Sequence, residues 1–151
     1  LDFGYNNQTA LVEVNIKDKI FYLRELIYEC RLTNSDLITK MKNLKIKRGS
    51  YIYCDSAESG RIEELKRAGF NVFPADKSVK DGIDFLKSCK IISHPENNGI
   101  NKEVLSYCYK QDKGGNLFDE PIKFNDHTMD AIRYAIYSYF KRRGEANIRL
   151  R

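Results

Sequence analysis

No stretch of this 151-residue chain approaches the roughly 20 consecutive apolar residues that cross a bilayer, and no signal peptide opens it, so no membrane partner is expected. The pattern Gly-x-x-x-x-Gly-Lys-Ser/Thr is missing as well. Without that backbone cradle for a nucleotide's phosphates, the chain is not expected to hydrolyse ATP. Its four cysteines (Cys30, Cys54, Cys89 and Cys108) form no Cys-x-x-Cys pair and are accompanied by two histidines, which argues against a zinc site. Cys54 and Cys89 stand in strand-like apolar contexts, as suits reduced thiols in a cytosolic protein. Repeats and low-complexity segments are absent. The chain opens on Leu1 rather than Met and reads as a fragment whose N-terminal neighbour has been cut away.

What is present describes one α/β domain. A hydrophobic content of 42% and evenly spread charge argue against disorder, and the length suffices to bury a core. Net charge is +5 and the pI is near 9.0. Basic residues cluster in KNLKIKR (42 to 48), at Arg61, Lys66 and Arg67, between Lys77 and Lys90, and in KRR (141 to 143). A polyanion partner fits this distribution, with nucleic acid the commonest one, and a solvated basic surface is the plainer alternative.

Periodicity supplies the elements. Residues 10 to 16 and 20 to 30 alternate as strands about a KDK turn, and a helix capped by Thr33 or Ser35 runs to about Lys45 on the stripe Leu37, Ile38, Met41 and Leu44. A short strand at 51 to 54 leads into a helix over about 59 to 68, with Ile62 and Leu65 inward and Gly69 as its stop. NVFPA reads as a strand, SVKDGIDFLKS as a helix with Val79, Ile83 and Leu86 in register, and CKIIS as a strand. Residues 101 to 110 read as a helix carrying Val104, Leu105, Tyr107 and Cys108. QDKGGNLFDEP reads as a loop turning at Gly114 and Gly115. The last helix spans about His127 to Arg142, with Met129, Ile132, Ala135, Ile136, Tyr139 and Phe140 at helical spacing. Residues 144 to 151 read as a flexible tail beyond a domain of residues 1 to 143. The expected fold is a mixed β-sheet flanked by helices.

Three acids stand in unusual places. Asp2 precedes an aromatic, a glycine and a polar turn into the hairpin. Asp55 ends the strand at 51 to 54, where burying a carboxylate is costly unless it is paired, hydrogen-bonded or metal-bound. Asp130 lies one turn into the last helix. Neighbouring strands and a helix over them would bring the three together, and their repulsion would then call for cations, with hard oxygen donors favouring Mg²⁺ or Mn²⁺. Plainer readings exist for each: a turn residue for Asp2, an N-cap or Asx-turn for Asp55, and a complement to the helix dipole for Asp130.

LDFGYNNQTALV, YCDSAESGRIEELKRAGFNVFPADKSVKDGIDFL and NDHTMDAIRYA together resemble the C-terminal nuclease domain of the large terminase subunit of tailed bacteriophages, over nearly the whole chain. The middle block is the most specific, because DSAE, Gly69, Ala75, Lys77 and the pair Gly82–Ile83 fall in family order. The resemblance implies an RNase H-like fold and a metal-dependent endonuclease that cuts concatemeric DNA during genome packaging. It implies that Asp2, Asp55 and Asp130 form the acidic triad holding two Mg²⁺ or Mn²⁺ ions, with His127 near the metals. It also implies double-stranded DNA, an ATPase domain, a small terminase subunit and a portal protein as partners, in the host cytoplasm. Asp126 stands where the family often has Asn and is a candidate fourth acid, and Tyr109 replaces a common Trp. Only the last residues of the strand carrying Asp2 are present.

Lys77 and Lys80, in the ADKSVK loop, are candidates to steady the DNA backbone. His127 is read either as a tuner of the metals or as a helix cap. Asp130→Asn is expected to hold or raise the metal-free melting temperature by relieving repulsion. Alternatives are another RNase H-like nuclease, such as a junction resolvase or a hybrid ribonuclease, and a non-catalytic DNA-clamping or docking module.

Overall fold

The structure, a computed structural model, describes residues 1–111, 117–122 and 125–144. Strands β1 (Thr9–Lys17) and β2 (Ile20–Glu29) form the expected antiparallel hairpin, paired from Thr9 opposite Glu29 to Lys17 opposite Ile20 with a register shift between Leu11 and Val12. Asp18 and Lys19 turn it with φ of 52° and 61°, the left-handed pair that a two-residue hairpin needs to match strand twist. Helix α1 (Asn34–Asn43) starts at Thr33, whose hydroxyl accepts from the Asp36 N–H while the Asp36 carboxyl takes the Thr33 N–H. Leu37 and Met41 are buried beneath it, whereas Leu44 is exposed. Strand β3 (Ile52–Cys54), helix α2 (Ser59–Arg67) and strand β4 (Val72–Pro74) make a parallel strand–helix–strand unit. Helix α3 (Val79–Lys87) follows, burying Ile83 and Phe85, with Leu86 partly buried against the same core as Phe85. Strand β5 (Lys90–Ser93) then joins β2 in parallel.

Two later expectations are corrected. Helix α4 spans Asn98–Ser106, not 101 to 110, and buries Gly99, Ile100 and Glu103. Val104 and Leu105, two of the apolar residues on which the helix was read, are 54% and 89% exposed. The helix begins early because the Glu25 carboxyl of β2 accepts the Gly99 and Ile100 N–H groups at 3.2 and 2.8 Å. Strand β6 (Tyr109–Gln111) takes the end of the stretch read as a helix, and β7 (Leu117–Pro121) the end of the stretch read as a loop, the two paired antiparallel. Leu117 and Phe118 carry the strand propensity that the glycines before them obscured. The turn at Gly114 and Gly115 lies outside the described residues, as do 145–151 of the tail. Helix α5 (His127–Arg142) has the expected bounds.

Side chains of β1 alternate between two cores. Leu11 joins Ile27, Leu37, Met41, Ile52, Leu65 and Val72 on the α1–α2 face. Ala10 and Val12 join Phe21, Leu23, Phe85, Ile132, Ile136 and Phe140 on the face of α3, α4 and α5. The mixed sheet is built in parts, β1-β2-β5 and β3-β4, with β6-β7 separate. Leu1 and Asp2 link the first two. The Leu1 ammonium donates to Tyr53 O at 2.7 Å, and Asp2 exchanges two 2.9 Å backbone bonds with Ala10. A trough of about 540 Å³ lies alongside, lined by Val12 and Val14 of β1, Tyr51 and Tyr53 at β3, and Ile136 and Tyr139 of α5. Among the described residues no helix is long and apolar enough to cross a membrane.

Helix α5 packs against β1, β3, α3 and α4, so it spans both parts of the sheet. Its own N-cap residue, Asp126, makes no side-chain capping bond. Glu103 supplies one from α4. This fully buried carboxyl accepts the Thr128 N–H at 2.6 Å, the Thr128 hydroxyl and the Tyr28 hydroxyl at 2.9 Å. A carboxyl there also sits at the positive end of the helix dipole. Glu103→Ala strands those donors in the core and is expected to cost about 3 kcal/mol, with Glu103→Gln costing less. Urea unfolding measures both, and an unchanged midpoint in Glu103→Ala would show that the carboxyl is dispensable.

Candidate active site

Each predicted acid is placed by a different device. Asp2 is held by its backbone bridge to Ala10 and by the tight loop that follows. In that loop the Thr9 hydroxyl bonds the Gly4 carbonyl at 2.7 Å and accepts the Gly4 N–H at 3.1 Å. A β-carbon at Gly4 would stand 2.3 Å from Gln8 O, so only glycine closes this loop. Asp55 directly follows β3, and its Oδ1 accepts the Ala57 N–H at 2.9 Å, the Asx-turn of the plainer reading. Asp130 lies in the first turn of α5.

All three carboxyls have a basic partner. His127 Nδ1 lies 3.0 Å from Asp2 Oδ2, Lys77 Nζ 2.7 Å from Asp55 Oδ1, and Arg133 Nη2 2.7 Å from Asp130 Oδ1. Burial raises the Asp2 carboxyl above its ordinary range, against the His127 hydrogen bond that lowers it, and the Asp130 charge adds to the rise. At Asp55 burial acts upward too, but Lys77 and the Ala57 N–H outweigh it and hold the carboxyl low. His127 moves up, because its bond to Asp2 exceeds the effect of burial. Asp126, half-buried at the start of α5, is raised by burial and then by Asp130.

Tyr134 shows how the acids relate. Its buried hydroxyl donates to Asp130 Oδ2 at 3.3 Å, and burial pushes the phenol far up. The charges of Asp130, Asp2 and Asp55 each push it further. The three acids therefore act on one hydroxyl, although they do not form a closed ligand cage. Among the described residues, no three His, Cys, Asp or Glu side chains stand as a ready metal-binding group. Their chemistry is nonetheless the all-oxygen donor set that Mg²⁺ and Mn²⁺ take.

Of the two lysines singled out from the sequence, Lys77 is bound to Asp55, and Lys80 is exposed in the first turn of α3 rather than in a loop. Two residues escaped the sequence reading. Arg133 is 3% exposed and pairs with Asp130. Tyr134 joins it on the other carboxyl oxygen. The signal for Arg133 was available: a cation inside the apolar run of a helix, three residues after an acid.

The structure adds a second effect to Asp130→Asn: removing the Asp130 charge relieves its repulsion of Asp2, but it also takes the counter-charge from the buried Arg133 guanidinium.

Comparisons agree with this architecture. Residues 2–138 match the family model described as the Terminase RNAseH like domain. The PBSX phage terminase large subunit of Bacillus subtilis (strain 168) is 25% identical over 146 residues, covering 92% of this chain and 34% of that protein. This chain thus spans about a third of that relative's length. The g2p large terminase nuclease domain of bacteriophage SPP1, solved with bound Mn, superposes with a TM-score of 0.80 at 25% identity, over 94% of this chain and 83% of that one. The P22 large terminase nuclease domain gives a TM-score of 0.69 at 20% identity, over 94% and 78% of the two chains. The expected RNase H-like fold is thereby found, and the chain belongs to the Terminase RNAseH like domain family, the nuclease domain of the phage terminase large subunit.

Proposed function

We propose that this chain is a divalent-metal-dependent endonuclease that cuts concatemeric viral DNA during packaging. The observation that supports the reading best is that Asp2 meets α5 through His127, one turn before Asp130, while Asp55 ends β3, the strand that packs against the same helix. Asp2, Asp55 and Asp130 would hold two Mg²⁺ or Mn²⁺ ions, and manganese in the SPP1 relative is consistent with that choice. Bound there, the cations would supply Lewis-acid activation of a water and stabilisation of the leaving 3′ oxygen.

The protein's own groups do the rest. An ionised carboxylate only accepts, so His127 donates its Nδ1 proton to Asp2 and keeps that carboxyl in one orientation. Its upward shift keeps His127 protonated to a higher pH than an ordinary histidine, so it would have a proton to give at neutral pH. Lys77 is paired with Asp55 on a half-exposed side chain, and a substrate phosphate would compete with Asp55 for its ammonium. Lys80 offers a second charge to the backbone. The other basic clusters would grip phosphates without reading bases, as the net charge of +5 favours. In the packaging motor, an ATPase domain, a small subunit and a portal protein would be the partners, acting in the host cytoplasm.

With millimolar Mn²⁺ or Mg²⁺ the chain is expected to nick or degrade any plasmid, to lose all cleavage in EDTA, and to bind DNA less as salt rises. A discrete set of fragments from an unrelated plasmid would contradict sequence-independent cutting. Asp130→Asn is expected to abolish cleavage and weaken Mn²⁺ binding in calorimetry. Its metal-free stability should fall by about 1–3 kcal/mol because Arg133 loses its partner. Equal Mn²⁺ affinity in the two proteins would remove Asp130 from the site.

The His127 ring is expected to titrate above 6.5 in metal-free protein, and Asp2→Asn should bring it down, since burial alone lowers it. The sign follows from the raised value. The pair adds stability fully below the unfolded value of about 6.5 and loses it as pH rises through the folded one. NMR of the imidazole resonances in EDTA tests this, and an unshifted midpoint in Asp2→Asn would separate the two residues.

A further inference from the structure

Arg133 is a poor choice for stabilising a core. It is 3% exposed, and its guanidinium is wedged between α5 and α3. A β-carbon at Gly82 of α3 would meet both Cγ and Cδ of Arg133 at 2.8 Å, so the glycine makes room for the stem. Nη1 reaches the Ser78 carbonyl only at 3.4 Å, and Nε has no hydrogen-bond partner among the described residues. Replacing buried ionic groups by apolar ones of similar volume is often neutral or stabilising, so the effect of this cation is to be sought at its one short bond. That bond, 2.7 Å from Nη2 to Asp130 Oδ1, contrasts with the 3.3 Å from the Tyr134 hydroxyl to Oδ2. Ordinary O–H···O bonds are about 2.7–2.8 Å, so Oδ1 is tightly held and Oδ2 loosely.

We infer that Arg133 is a positioning residue: wedged against Gly82, it ties down Oδ1 of Asp130 and leaves Oδ2 as the oxygen offered to a divalent cation. The inference rests on the reading of Asp130 as a ligand. Oδ2 is left with the long 3.3 Å bond from the Tyr134 hydroxyl, on the helix turn that His127 joins to Asp2. Arg133 thus limits Asp130 to one-oxygen ligation, and its fork, not its charge alone, sets the carboxyl's orientation.

The test is Mn²⁺ binding by calorimetry, together with the electron paramagnetic resonance spectrum of bound Mn²⁺, on the whole chain. Wild type is compared with Arg133→Met, Arg133→Lys, Gly82→Ala and Asp130→Asn, with melting in EDTA as a control for folding. Both Arg133 substitutions are expected to weaken Mn²⁺ binding about 10- to 100-fold and to change the spectrum of the bound ion. Gly82→Ala keeps the charge but displaces the stem, and should shift both readouts in the same direction. If Arg133→Met does not fold, Arg133→Lys and Gly82→Ala decide. Wild-type affinity and spectrum in the folded variants, tighter binding, or full rescue by lysine each overturn the inference. Mn²⁺ binding that depends on Asp130 but not on Arg133 sinks this inference alone. Equal binding by wild type and Asp130→Asn instead sinks the ligand reading beneath it.

Discussion

A carboxyl that α5 does not own fixes where α5 begins. Glu103 reaches from α4 to the Thr128 N–H and hydroxyl, one residue beyond His127 and two before Asp130. Helix α4 is itself started by a borrowed carboxyl, since Glu25 of β2 takes the Gly99 and Ile100 N–H groups. Asn97 ties the same point to the sheet through Leu23 O and the Glu25 N–H, both at 2.9 Å. Position therefore passes from β2 to α4 to α5 through hydrogen bonds to buried side chains. Orphan N–H groups at helix starts must find acceptors, and here those acceptors lie on the neighbouring element. The candidate acids of the strands and those of the helix are consequently held in one frame.

Electrostatics at that end of the molecule follow from the same frame. Carboxyls brought near one another repel, and protonation or counter-charge must answer. This chain uses both: Asp2 and Asp126 are pushed toward the protonated form, while Lys77 and Arg133 neutralise Asp55 and Asp130. The two cations differ in kind. Lys77 is half-exposed on a flexible stem and can follow a phosphate, whereas Arg133 is enclosed and can only hold. Family membership says that such a domain belongs to a terminase, and these pairings describe how its acids are kept in a folded protein.

Much of this could be read from the chain. The hairpin, α1 with its Thr33 cap, and α5 were legible because their signals are local: alternation, a capping box, a 3.6-residue stripe. Asp55 was legible because a charge at a strand end is locally anomalous. Helix α4 was misread for the opposite reason. Its buried face is chosen by Tyr28 and Thr128, 75 and 25 residues from Glu103, so the apolar Val104 and Leu105 did not mark the side that packs. Arg133 was passed over because the apolar pattern around it is strong, and its partners on α3 lie 51 and 55 residues away in Gly82 and Ser78. Local patterns show what an element is, but not which of its polar residues a distant element will enclose.

The contact of Leu1 with Tyr53 has one more consequence. Leu1 touches β3 two residues before Asp55, and its neighbour Asp2 is bridged to β1 at Ala10. One dipeptide thus stitches β1-β2-β5 to β3-β4, so a shift at that seam would move Asp2 and Asp55 together rather than apart.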